Sequence, residues 1–394
     1  MDTIVIGAGA IGLGIAWRLT QRGGDVLVLD RDEPGRGASY HAAGMLAPIT
    51  EAGYGEDALL RLNLASARRY PAFLDSLQAA TGRRLASSAP GTLFVALDRD
   101  QLEALHRLST FQQSLGLATT WLDGGRCREL EPALHPGVRA GILATEREVN
   151  PRALTAALAA AIQSGGGTIR AHAEVRRLVT GDDGDIAGVE LAGGERITVG
   201  AGGRVVLAAG CWSGGIGGVP AEVAEAIRPV KGQILRLRPK AGEPTPIRHL
   251  IRSEEVYLVP RGDGELVAGA TVEEQGFDQS LTGGGVYELL RAAIEAVPAV
   301  RELELVEASA GLRPGSRDNG PLIGPVRSAP GLLVASGHYR NGILLTPVTA
   351  DAVVASIAGQ DPPGEVRPFS PERFARRGEP GVAAEEAGAA CGSR

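Results

Sequence analysis

Residues 3–12 read Thr3-Ile4-Val5-Ile6-Gly7-Ala8-Gly9-Ala10-Ile11-Gly12, and the reading of the fold starts there. Thr3 to Ile6 is a short β-branched run. Ile11, Ile15 and Leu19 then recur at helical spacing, with Ala16 beside them. Between the two runs lies GxGxxG. Gly7 permits the tight turn, Gly9 lets a backbone approach a pyrophosphate, and Gly12 allows close helix–strand packing, while the helix N-terminus faces the anion. Val26 to Leu29 is a second apolar run. It ends at Asp30, where a carboxylate can hold a ribose diol and repel a 2′-phosphate. The pattern predicts a βαβ start that binds a dinucleotide other than NADP. Two plainer readings stand beside it: a Gly-rich turn in an ordinary βα unit, and a surface acid at a strand end.

The rest of the composition narrows the class. The chain has 394 residues, 44% of them apolar and 22% charged, which excludes wholesale disorder. Lys+Arg 40 against Asp+Glu 46 leaves a net charge of −6, so no basic stripe for nucleic acid is expected. Cys127, Cys211 and Cys391 are too scattered for a disulfide framework or a zinc pattern, which fits a reducing cytoplasm. His106, His135, His172, His249 and His338 show no metal-ligand spacing, and no metal is expected. No apolar run reaches the ~18 residues of a membrane span. The apolar stretch Ile4 to Trp17 follows Asp2 and has no basic flank, so neither membrane insertion nor a signal peptide is expected.

Periodicity predicts helices over Leu59–Ala80, Arg99–Leu115 and Pro151–Gln163, the last capped by Asn150. Strands are predicted at Thr92–Leu97, Val205–Ala209, Ile234–Leu237, Val256–Val259, Leu266–Ala270 and Leu332–Ser336. A final helix starts near Gly342 or Pro347 and runs to about Ile357, and residues 365–394 read as a loosely ordered tail.

The βαβ unit leaves NAD and FAD both open. The next segment, Gly37-Ala38-Ser39-Tyr40-His41-Ala42-Ala43-Gly44-Met45-Leu46-Ala47-Pro48, is mostly small residues. Small residues expose backbone amides to a bulky planar ring, which a plain NAD enzyme does not need. Here the chain resembles the FAD-dependent D-amino acid oxidase family, most closely its glycine oxidases. Four further segments carry the likeness. They are Val205-Val206-Leu207-Ala208-Ala209-Gly210-Cys211-Trp212-Ser213, Val256-Tyr257-Leu258-Val259-Pro260-Arg261, Ala310-Gly311-Leu312-Arg313-Pro314-Gly315 and Gly337-His338-Tyr339-Arg340-Asn341-Gly342-Ile343-Leu344-Leu345.

The resemblance implies an α/β fold: a Rossmann-like FAD-binding domain with an inserted, mainly antiparallel α+β substrate domain. It divides the chain into FAD-binding parts 1–86, 149–217 and 307–364, substrate parts 87–148 and 218–306, and the tail 365–394. It implies that FAD is held by Gly7, Gly9, Ile11, Gly12, Asp30 and Arg31, and by Ala38, Ser39, His41, Gly44, Met45 and Leu46. Val175, Ala209, Gly210 and Trp212 would follow, then His338, Tyr339, Arg340, Asn341, Gly342, Ile343 and Leu344.

The implied reaction is oxidative deamination of glycine and other small amines, sarcosine and small D-amino acids among them. Hydride passes to flavin N5, and dioxygen returns as hydrogen peroxide. Arg313 is the expected carboxylate anchor, because a guanidinium can grip a carboxylate with two parallel bonds. Tyr257 would donate a second bond to that carboxylate, and Arg340 would sit in a loop touching flavin and substrate. The plain alternatives are a surface ion pair for Arg313, a cross-strand aromatic for Tyr257 and a connecting loop for Gly337 to Gly342. A dehydrogenase passing electrons to another acceptor and a non-catalytic flavin-binding module also remain open. The resemblance further implies a homo-oligomer and a supply of glycine imine to the thiazole branch of thiamine synthesis.

Three positions depart from the family pattern. Asp30 stands where Glu is usual. Val272 stands where a pocket Met is usual, which would reshape the pocket. His41 stands in a His-Ala-Ala-Gly segment like the one through which sarcosine and dimethylglycine dehydrogenases attach flavin covalently. Non-covalent FAD is the favoured expectation, with a link through His41 as the alternative.

Overall fold

The buried apolar runs become the middle of a six-stranded sheet. In the computed structural model, which describes residues 1–85, 87–182 and 184–375, Thr3–Ile6 lies between Val26–Leu29 and Arg204–Leu207, parallel to both. Thr168–Arg170 extends one side in parallel. Leu332–Ser336 extends the other in parallel, followed by the antiparallel edge strand Leu322–Pro325. Side chains alternate across the sheet. Val5, Val28 and Val206 pack on the helices Ala10–Thr20, Asp57–Thr81, Pro151–Ser164 and Gly342–Ile357. Ile4, Leu27 and Val205 pack on a small antiparallel sheet of Val175–Thr180, Ile186–Leu191 and Arg196–Thr198. With both faces covered, the central strands are apolar apart from Thr3 and Arg204 at their starts.

The last helix contains Pro347, which has no N–H to give the carbonyl one turn back. That carbonyl belongs to Ile343, and the Tyr70 hydroxyl donates to it at 2.9 Å. Ser66 Oγ donates to the Leu344 carbonyl at 2.6 Å. Both donors come from Asp57–Thr81, so two buried hydroxyls repair the break and lock the helices together. Burial pushes the Tyr70 phenol far up, and it stays a donor. Gly14 makes the other close approach. A Cβ there would meet Thr346 Cγ2 at 2.7 Å.

The second large sheet has eight strands. The long pair Ile227–Arg238 and Glu304–Ser316 runs antiparallel from Ile227 opposite Ser316 to Arg238 opposite Glu304. Leu266–Gly269, Tyr257–Pro260, Leu250–Arg252, Thr92–Ala96, Ala140–Ala144 and Thr119–Asp123 follow in that order. All neighbours are antiparallel except Leu250–Arg252 with Thr92–Ala96. Gly283–Ala296 is a helix that the pattern analysis missed. Three glycines open it, and the Thr282 hydroxyl accepts from Gly285 N. The stretch expected to be loose divides in two. Gly364–Phe369 and Pro371–Phe374 form 3-10 turns, because Val366 and Phe369 bury themselves in the helical core and Arg373 forks onto Asp318 at 2.8 and 3.0 Å. Residues 376–394, Cys391 included, lie outside the described residues. Among the described residues no helix is long and apolar enough to cross a membrane.

Candidate active site

The carboxyl ends of the parallel strands open into a cavity of about 480 Å³ that reaches across to the eight-stranded sheet. This is where an open parallel sheet binds ligands. At its floor the chain leaves Ile6 through Gly7, with φ +107° and no room for a Cβ, which would lie 2.4 Å from the Ala208 carbonyl. Gly12 does not line the cavity. A Cβ there would lie 2.0 Å from the Gly7 carbonyl, so this glycine seats the helix on its strand. Gly9 caps the helix without a side chain, which leaves first-turn amides for an anion. Asp30 accepts from Ala8 N at 2.5 Å and from Asp32 N at 2.9 Å. Burial pushes its carboxyl up, and these two bonds oppose the rise.

The small-residue segment forms the next wall. Ser39 Oγ accepts from Ala10 N at 3.0 Å and so ties the segment to the glycine turn. His41 meets Ser309 Oγ through Nδ1 at 3.1 Å and lies on Gly311, where a Cβ would be 2.7 Å from its ring. Burial first, then Arg152, pushes the imidazole down to about 4, so it is neutral at pH 7. Three arginines behind the segment hold its carbonyls. Arg152 and Arg236 donate to Tyr40 O at 3.0 and 3.2 Å, and Arg261 donates to Ala43 O. Arg31 stacks over Trp212 at 3.9 Å on the opposite wall.

At the other end, Arg313 projects from Glu304–Ser316. Its Nη1 donates to Thr271 O at 3.0 Å and Lys231 O at 3.3 Å. Its guanidinium lies over Gly232, where a Cβ would sit 2.3 Å from Nη1. Among the described residues no carboxylate pairs with it, unlike most arginines of the chain. Tyr257 stands beside it, with its ring over Gly269, where a Cβ would sit 2.5 Å from the hydroxyl. Burial pushes this phenol up, and the Arg313 charge opposes the rise. A guanidinium without a carboxylate partner, next to a protonated hydroxyl, can receive one carboxylate.

Of the predicted residues, all except Gly12 and Leu46 line this one cavity. Leu46 is buried in the helical core instead. His338 lines the cavity but is committed to Thr349 Oγ1 at 3.0 Å, and burial pushes it down to about 3. Arg340 lines it too, with its guanidinium taken by Glu51 at 2.8 Å and Glu56 at 3.5 Å. Val272 lines the cavity and is 65% exposed, so its side chain adds little to the wall. Sequence reasoning missed Glu51, Arg252 and Gly232. The first two meet only through tertiary structure, and the third is an ordinary strand glycine until Arg313 is placed over it.

Known proteins share this fold. The family model for FAD dependent oxidoreductases matches residues 2–356. The glycine oxidase of Geobacillus kaustophilus is 31% identical over 94% of this chain and 96% of its own length. The crystal structure of glycine oxidase from Geobacillus kaustophilus superposes with a TM-score of 0.85 at 30% identity, covering 94% of this chain and 97% of the other. A bifunctional protein ThiO/ThiG of Trichormus variabilis is 32% identical over 95% of this chain, which spans 55% of that protein. The glycine turn, the strand-end acid and the long match together place this chain in the FAD-dependent oxidoreductase family.

Proposed function

We propose that the chain is an FAD-dependent oxidase of glycine and other small amines, sarcosine and small D-amino acids included. One observation carries this reading: Arg313 offers the cavity a guanidinium without a carboxylate partner, beside the Tyr257 hydroxyl. The residues present fit FAD. Gly7 and Gly9 admit a backbone-hugging pyrophosphate, and the carboxylate of Asp30 retains lone pairs for a ribose. The segment from Ala38 to Met45 and the loop from His338 to Leu344 supply the walls for the ring system. Bound FAD would supply the two-electron acceptor, taking the α-hydrogen as hydride and returning the electrons to dioxygen as hydrogen peroxide.

The protein's own residues bind and orient. Arg313 and Tyr257 grip the carboxylate and so fix the α-carbon. An amine that arrives neutral can give up its α-hydrogen as hydride without a side-chain base. The imine that leaves takes up water to give an oxo acid and ammonia, or methylamine where the substrate is sarcosine. His41 is held through Nδ1 by Ser309 Oγ, which supports FAD held without a covalent bond. Acid precipitation should then release all of the flavin.

The same reading places the chain in the cytoplasm as a homo-oligomer, with the glycine imine serving the thiazole branch of thiamine synthesis. The alternation of the chain between the two large sheets supports the two-domain division expected from the sequence.

Substituting Arg313→Ala tests the anchor. Charge-assisted bonds contribute about 1.5–3 kcal/mol each, so losing two should lower kcat/KM for glycine by roughly 10²- to 10⁴-fold. The flavin should stay bound. Unchanged steady-state kinetics would remove the anchor from the mechanism.

A further inference from the structure

Behind Arg313, on the side of the sheet away from the cavity, lies a buried polar cluster. The strand Ile227–Arg238 alternates, so Val230, Gly232 and Ile234 share one face, and Lys231 and Gln233 share the other. Gly232 and Ile234 line the cavity. Lys231 and Gln233 point the opposite way, and both are buried.

Their partners lie on the segment that follows Leu266–Gly269. Lys231 Nζ donates to Asp278 Oδ2 at 3.0 Å and lies 3.5 Å from Glu273 Oε2. Gln233 Nε2 donates to Glu273 Oε1 at 2.8 Å, and the Thr271 hydroxyl donates to the same oxygen at 2.5 Å. The ammonium pulls the Asp278 carboxyl down to about 2, so that acid is charged at pH 7.

The main chain closes at the same place. Lys231 N donates to Glu273 O at 2.9 Å, and Glu273 N donates to Lys231 O at 3.0 Å. Gln233 N donates to the Thr271 hydroxyl at 2.8 Å. The carbonyls of Lys231 and Thr271 are the two that hold Arg313 Nη1. The seat of the carboxylate anchor is therefore backbone from two neighbouring strips of chain, and the lysine ties one strip to the other.

Hydrophobic burial does not hold the second strip. From Val272 to Ser280 no residue is buried, and Val272 and Phe277 are among the exposed large apolar side chains. Phe277 approaches Trp212 only to 6.2 Å between ring centres. With so little apolar contact, the hydrogen bonds and ion pairs to Lys231 and Gln233 fix where this strip lies.

Resting on the oxidase reading above, we infer that Lys231 is a positioning residue for the substrate carboxylate: it pins Glu273 and Asp278 and so keeps the Thr271 carbonyl where it orients Arg313. Lys231 acts from the face opposite the cavity and touches neither substrate nor flavin. Without its ammonium the strip is free to move, Arg313 loses one of its two fixing carbonyls, and the guanidinium fork no longer meets the substrate in one orientation.

The test uses the FAD-loaded protein and two readouts. One is steady-state oxidation of glycine. The other is the affinity for methoxyacetate, a carboxylate without an amine, titrated against the visible flavin band. Lys231→Met keeps the length of the side chain and removes the charge. The acids it leaves, Glu273 and Asp278, are 22% and 48% exposed, so water can take them. The variant should stay yellow, bind methoxyacetate at least about tenfold more weakly and raise KM for glycine by a similar factor, with kcat within about threefold. Added to Arg313→Ala, the same substitution should lower kcat/KM by less than about twofold, because it acts through the residue already removed. Equal losses with and without Arg313 would mark a fold contact only and overturn the assignment, as would an unaltered methoxyacetate affinity in Lys231→Met. If Lys231→Met gives no yellow protein, Glu273→Ala carries the same expectation, and an unaltered affinity there is decisive against it. Failure of glycine to bleach the flavin without air would instead defeat the oxidase reading, and methoxyacetate would still report on the seat of Arg313.

Discussion

His338 is a residue whose burial sets a measurable pH dependence. It is 2% exposed, holds Thr349 Oγ1 at 3.0 Å, and is pushed down to about 3 by burial. An unfolded histidine titrates near 6.5. Between those values the unfolded chain binds a proton that the folded chain refuses, so stability is complete above pH 6.5 and falls as pH drops toward 3. By pH 5 the loss from this one group is about 2 kcal/mol. Denaturant titrations of the FAD-loaded protein at pH 7 and pH 5 should show the His338→Asn variant losing less stability across that interval by about this amount. An identical pH slope in the two proteins would mean that His338 protonates without unfolding the chain. Single residues also show what the sequence could reveal of the site. Arg313 was legible because Leu312-Arg313-Pro314-Gly315 is a local pattern, and the structure leaves that guanidinium without a carboxylate. The role expected of Arg340 was not legible in the same way. Its partners Glu51 and Glu56 lie on a distant loop, and no local pattern announces an ion pair formed by tertiary folding.

Among the elements, Gly12 and Gly232 both meet close neighbours and should fail differently. A Cβ on Gly12 would press at 2.0 Å on the Gly7 carbonyl, which is backbone and cannot swing aside, so Gly12→Ala must lift the helix Ala10–Thr20 off its strand. Flavin should be lost on gel filtration, and the purified variant should be colourless. A Cβ on Gly232 would press at 2.3 Å on the end of Arg313, which is flexible and can move away. Gly232→Ala should keep its flavin and raise KM for glycine at least about tenfold, since one charge-assisted bond contributes about 1.5–3 kcal/mol. A yellow Gly12→Ala protein, or a Gly232→Ala protein with unaltered KM, would contradict this contrast. The elements themselves were legible where one period dominates. Thr3–Ile6, Val26–Leu29 and Leu332–Ser336 appear with the expected ends, and Pro151–Ser164 extends the expectation by one residue. Periodicity failed on Ile227–Arg238, of which only Ile234–Leu237 was expected, because Pro229 and Gly232 interrupt the apolar pattern. That strand is held by twelve register partners on Glu304–Ser316, a pairing that local propensity does not encode.

Across the whole molecule, a buried ionic network fixes the cofactor wall to the substrate sheet. Arg261 and Glu148 are each 2% exposed and meet at 2.6 Å, and Arg261 also donates to Ala43 O and to Val149 O. Arg236 pairs with Glu265 at 2.6 Å, and Arg152 grips Glu307 with bonds of 2.6 and 3.0 Å. Arg236 comes from the eight-stranded sheet, Arg261 from the residue just after its strand Tyr257–Pro260, and Arg152 from Pro151–Ser164, while the carbonyls they hold at Tyr40 and Ala43 belong to the segment lining the cavity. Desolvation makes such a network a poor source of net stability but a costly one to break, since a lone buried charge is left behind. Arg261→Met should therefore destabilise the protein by about 3–5 kcal/mol and weaken FAD binding, because Glu148 loses its counter-ion and Ala43 O loses its donor. Adding Glu148→Leu removes the stranded charge, so the double variant should recover stability without recovering FAD affinity, since the Ala43 carbonyl still lacks its donor. Thermal midpoints at one scan rate and FAD titrations of the apoprotein separate the two quantities. If stability and FAD affinity recover together in the double variant, the pair acts only as a fold contact and the carbonyl tether to the cavity wall is not what positions the cofactor.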